Sequence, residues 1–156
     1  MDLYSIVKVV HIISATIVFG TGLGIAYFML IGQRSRDFVE RRFAARAAVF
    51  ADYIFTLPAV IVQPISGAWL VWQAGFDWTD FWLVGTYALY ALAGLCWVPV
   101  VVIQIAMKHM LDRQAREGVF DDAAFNRLFR WWFALGWPAF GGLIIIFGLM
   151  VMKPSW

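Results

Sequence analysis

The sequence predicts an all-α fold, a transmembrane four-helix bundle with both termini on the periplasmic side of a bacterial inner membrane. Three observations predict it. The 156 residues are 63% hydrophobic and only 14% charged, where a soluble domain carries about 25% charged residues. Four apolar stretches, at about 3–32, 47–74, 81–107 and 131–152, each reach the roughly 20 residues a helix needs to cross a bilayer. The first and third connections are rich in arginine and the second has no lysine or arginine. Positive connections stay in the cytoplasm, which leaves both ends of a four-span chain outside. The length suits a single integral membrane domain over residues 1–156.

Composition also excludes several function classes. A net charge of +2, a pI of 8.9 and a mean hydropathy of +0.77 describe a chain whose basic residues flank spans. The expected partner is therefore the lipid bilayer and not nucleic acid. The lone Cys96 lies in an apolar run, so neither an intramolecular disulfide nor a cysteine metal cluster can form. The first apolar run is longer than the ~7–15 residues of a signal-peptide core and opens on Asp2, so it is expected to be retained. No phosphate loop, nucleophile elbow or zinc-protease signature is present.

Span one holds Lys8-Val-Val-His11. Three residues apart, the two ionisable groups share a helix face, and such groups inside a span mark a functional site by default. Thr16, Gly20 and Gly24 form a small-residue stripe, and Gly141, Gly142 and Gly148 offer another on span four. Such stripes predict close packing of those two spans. The stretch 33–46, with Arg34, Arg36, Arg41, Arg42 and Arg46, is expected to extend as an amphipathic helix at the membrane surface. Span two carries Asp52, Pro58, Gln63 and Pro64, which predicts a kink around the prolines. Asp52 is expected to pair with Arg46 or another arginine of that loop.

Trp69, Trp72, Trp78 and Trp82 flank the turn at 73–80 as an interfacial aromatic belt, and the short turn makes spans two and three antiparallel neighbours. A polar stretch from Lys108 to Arg130 follows span three, with an N-cap at Asp121 or Asp122. Span four opens with Trp131 and Trp132 and leads to the tail Lys153–Trp156.

A rise of 1.5 Å per residue puts His11 roughly 12 Å below the outer end of span one. Gln63, Ser66 and either Tyr87 or Tyr90 fall near that level, with Ser14 facing the same way, so a polar layer is expected in the outer half. Met150 lies nearer the outer surface. His109 is roughly 40 Å from that surface, too far to share a metal ion or haem with His11 in one monomer. Single-histidine ligation, a histidine–methionine pair with Met150, or ligation across a dimer remain. His11 is then either a metal ligand, since neutral imidazole is a common iron ligand, or a polar residue bonded between helices. Lys8 either snorkels to the interface or meets a carboxylate of a ligand. Gln63 either orients His11 or joins helices.

At Lys8-x-x-His11-Ile12, on a first span that turns glycine-rich, the chain resembles a family of small bacterial four-span predicted integral membrane proteins of unknown function. The arginine-rich first loop and the proline-bearing segment Leu57-Pro58 to Gln63-Pro64-Ile65-Ser66-Gly67 extend the likeness over most of the chain. More distantly, it is similar to HemJ-type protoporphyrinogen oxidases and CopD-type copper-resistance membrane domains. The HemJ likeness implies haem b, held by His11 with Lys8 in the same site, and a haem-dependent membrane oxidoreductase of porphyrin or electron-transfer type. Gln63, Tyr90 and Met150 are the further cofactor-binding candidates. The alternative is a non-enzymatic membrane module: a copper or small-ion conduit, or an accessory subunit that meets a second copy or a membrane partner.

Overall fold

The computed structural model describes residues 2–35 and 37–155. Arg36 of the basic loop and Trp156 of the tail lie outside the described residues. Among these described residues five α-helices follow in order: α1 (Leu3–Arg34), α2 (Phe38–Ala51), α3 (Leu57–Ala74), α4 (Phe81–Glu117) and α5 (Asp122–Met152). A π-helical turn, Asp52–Thr56, joins α2 to α3. Four rods are long and apolar enough to cross a membrane: α1, the continuous α2–π–α3 unit, α4 and α5.

The helix ends follow from local chemistry. Asp2, Asp37 and Asp121 stand at N-caps and accept the backbone N–H of Ser5, Val39 and Ala124 at 2.8, 2.7 and 2.9 Å, satisfying donors that a helix start leaves free. Gly75 and Gly118, both at φ +70°, close α3 and α4 in the left-handed conformation that glycine adopts without penalty. In the turn between them, the N–H and hydroxyl of Thr79 donate to Asp77 and hold its carboxyl below the usual range.

Most of the arginine segment is helical, as α2, and it extends span two. α2 continues through the π turn into α3, and its alanine face (Ala44, Ala45, Ala48) is buried against the bundle. Gly32 makes this possible: a Cβ there would sit 2.7 Å from Ala44 Cβ. The polar face of α2 reaches α4, where Arg42 Nε meets Asp112 at 2.8 Å and Lys108 meets the same carboxylate at 3.1 Å.

Both termini lie at one end of the bundle. Tyr4 of α1 packs on Trp69 of α3, and Lys153 Nζ stands 4.3 Å from the Phe76 ring and 5.3 Å from that of Trp82. Arg42, Lys108 and Asp112 mark the opposite, basic end. α4 packs along α5, while α1 packs along α2 and α3. α3 and α4 meet through large side chains, with Val71 against Trp82 and Leu83.

The expected close approach of spans one and four is corrected. The backbones of α1 and α5 stay apart, and the two helices meet through long side chains such as Phe19 with Phe140 and Gln33 with Asn126. A Cβ at Gly20, Gly24 or Gly141 would meet nothing within 4 Å, and Gly142 faces the Leu89 carbonyl of α4 instead. The reason is aromatic: Phe19 stacks edge-on with Phe140 and Phe147 at 5.8 and 5.5 Å and props the two helices apart. The helix irregularity expected at the prolines falls just before them. Leu57 N–H donates to the Asp52 carbonyl, an i→i−5 bond, and Pro58 brings no N–H to continue the ladder.

Candidate functional site

Besides the Arg42–Asp112–Lys108 group at the basic end, two clusters of buried polar side chains lie within the described spans. Toward the terminal end, α1 and α3 bring His11, Ser14, Gln63 and Ser66 together. His11 Nδ1 is 2.9 Å from Ser66 Oγ, and His11 Nε2 is 3.2 Å from Gln63 Nε2. Ser66 gives its own proton to the Val62 carbonyl at 2.7 Å, and Ser14 donates to Gln63 Oε1. One proton arrangement satisfies the whole chain: His11 Nδ1–H donates to Ser66, and Gln63 donates to the Nε2 lone pair. Gly67 lets the α3 backbone close on the ring, since a Cβ there would lie 3.0 Å from His11 Cε1.

Among the described residues no hydrogen bond or ion pair joins the other expected site residues to His11. Lys8 is exposed and forms no ion pair among the described residues. The Tyr90 hydroxyl donates to the Val60 carbonyl at 2.7 Å. Met150 packs against the Val71, Trp82 and Leu83 cluster. A haem iron on His11 would need Gln63 to release Nε2.

A cavity of about 390 Å³ lies between α1, the α2–α3 unit, α4 and α5. Its size falls in the range of small-molecule pockets. The walls are almost wholly apolar, with Phe19, Trp97, Phe133, Trp137 and Phe140 supplying flat surfaces. It opens between α1 and α5, where the lining residues Leu23, Trp137 and Ile144 are exposed. His11 is not among its lining residues.

The second polar group caps this cavity toward the basic end. Asp52 is 4% exposed and Gln104 2%. With its amide set by its neighbours, Gln104 donates to Asp52 Oδ2 and accepts from Trp132 Nε1 at 3.0 Å. Trp97 Nε1 lies 3.5 Å from Asp52 Oδ1, at the limit of a hydrogen bond. The expected pairing of Asp52 with Arg46 is therefore corrected. Arg46 is exposed, and among the described residues Asp52 has no ion pair. Six residues of α-helix turn Arg46 about 120° away from Asp52.

Sequence reading passed over Thr56, Gln104 and Trp132 as site residues. The available signal was Gln104, an amide inside the apolar run Val100–Met107, since polar residues within a span are retained for a reason.

Residues 5–154 match the model of DUF2269, described as a predicted integral membrane protein. No curated protein and no solved structure matches the chain, so the wider likeness to HemJ-type and CopD-type proteins gains no support. The match covers nearly the whole of the bundle just described, and on it the chain belongs to the DUF2269 family of predicted integral membrane proteins.

Proposed function

We propose that this protein is a membrane-embedded binding module that takes an apolar small molecule from the bilayer into the cavity between α1 and α5. The observation that carries the reading is that cavity, about 390 Å³, aromatic-walled and open on the lipid-facing side of the bundle. An apolar guest leaving lipid gains little from hydrophobicity alone, so shape and aromatic contact must select it. The protein sits in a bacterial inner membrane with the arginine-rich end in the cytoplasm and both termini in the periplasm, as the charge of its connections favours. Native mass spectrometry of protein released from its own membranes tests this. A discrete apolar molecule should accompany the wild type and be lost from Gly136→Phe, whose new ring fills open space in the cavity wall. A wild type that carries no guest and takes up none sinks the reading.

A second reading keeps haem b at His11 and an oxidoreductase role. It is favoured by an imidazole whose Nε2 lone pair is held by a single amide, Gln63, which a side-chain rotation would free. The purified protein should then show a Soret band that His11→Ala abolishes. A colourless preparation that takes up no haem removes it.

A further inference from the structure

We infer that the guest carries a hydroxyl on an aromatic head, and that this hydroxyl donates to Asp52 beside Thr56 at the closed end of the cavity. The inference rests on the reading of the cavity as a ligand site and names the chemistry of what enters.

The π turn creates the vacancy. In an α-helix, a threonine hydroxyl returns to the carbonyl four residues back, as Thr86 does to Trp82 at 2.7 Å and Thr16 to Ile12 at 2.9 Å. For Thr56 that carbonyl belongs to Asp52. In the π turn the backbone donor to that carbonyl is Leu57 N–H, and the shifted register leaves the Thr56 hydroxyl with no bond to it. Thr56 Oγ1 is left buried, 4% exposed and without a hydrogen-bond partner, in the cavity lining. It faces the Asp52 carboxylate without closing a bond to it.

Asp52 is also incompletely served. A carboxylate accepts about four hydrogen bonds, and here Gln104 supplies one while Trp97 stands at 3.5 Å. Buried polar groups are nearly always satisfied, and those that are not call for a partner. A hydroxyl placed at this end gives a proton to Asp52 and accepts one from Thr56, which gives Asp52 a further donor and Thr56 its missing acceptor. The neighbouring walls, Trp97 and Phe133, are flat and suit an aromatic ring carrying that hydroxyl. The apolar remainder of the cavity takes an alkyl or isoprenoid tail, which leaves between α1 and α5.

The test uses a matched pair, 4-nonylphenol and its methyl ether 4-nonylanisole, partitioned between protein-bearing and empty nanodiscs so that lipid uptake cancels. In wild type the phenol should bind about tenfold more tightly than the ether, as expected for a hydrogen bond to a charged acceptor. Asp52→Asn, which keeps only a neutral acceptor, should lower that ratio, and Thr56→Val should weaken both compounds, whose oxygens both accept from it. Thr56→Val is nearly isosteric, so it serves even where Asp52→Asn does not fold. Equal binding of the pair in wild type overturns the inference and leaves the cavity reading standing, as for a site that takes only acyl chains. A phenol preference that Asp52→Asn leaves intact, or binding of both compounds that Thr56→Val leaves unchanged, also overturns it. Binding of neither compound overturns the inference and the cavity reading together.

Discussion

Gln104 of α4 donates to the Asp52 carboxylate on the π turn and accepts from Trp132 on α5. One amide thus ties three of the four spans at a single depth. In low-dielectric surroundings such a network is costly to break in part, because each loss strands a partner.

Gln104→Leu should therefore destabilise the bundle by about 1–3 kcal/mol, the usual cost of leaving a buried group unpaired. The measurement is the melting temperature of the detergent-solubilised protein. Asp52→Leu should be costly too. The double substitution should lose less than the sum of the two, since it removes the stranded charge along with its donor. Strict additivity would show that the two side chains do not interact.

Gly32→Ala should cost about 1–3 kcal/mol through overpacking, because the added Cβ meets Ala44 Cβ at 2.7 Å and the α1–α2 contact has no flexible side chain to yield. Gly20→Ala is the control. Its Cβ meets nothing within 4 Å, so stability should hold or rise slightly with the better helix propensity of alanine. Parallel melting curves compare the two, and similar losses at both positions would contradict the packing described above.

Orientation has its own prediction. On a Cys96→Ala background, Thr79→Cys should react in intact cells with a maleimide that cannot cross the inner membrane. Arg116→Cys should react only after the cells are opened. Both positions are exposed, so access depends on the side of the membrane alone. The reversed pattern would place the arginine-rich end outside.

The Asp77 turn predicts a pH effect with a definite sign. Its carboxyl is lowered by the Thr79 N–H and hydroxyl, so the turn gains stability above the unfolded carboxylate range and loses it as pH falls through the lowered value. Full exposure keeps the effect small and salt-sensitive. Thr79→Ala removes the hydroxyl donor and should move the Asp77 titration, followed by NMR of its carboxyl carbon, upward. An unmoved titration would mean that the backbone N–H alone sets it.

Much of this molecule is written in local properties. Four apolar stretches gave four membrane-length helices, because hydropathy is summed residue by residue and needs no partner. Asp121 capped α5 as its place before Ala123 indicated. A fixed rise per residue put Gln63 and Ser66 level with His11, and the structure brings them into contact. The tertiary structure decided what depends on rotation and on neighbours. Glycine stripes on α1 and α5 remain apart because Phe19, Phe140 and Phe147 occupy the space between them. Asp52 turned from the arginines to Gln104 because a carboxylate's partner is set by the helix face it occupies and by which span lies opposite. The cavity, and the Thr56 hydroxyl stranded at its end by a shifted backbone register, exist only once four helices have packed, since a void and an unmet hydrogen bond are properties of the surroundings and not of any residue.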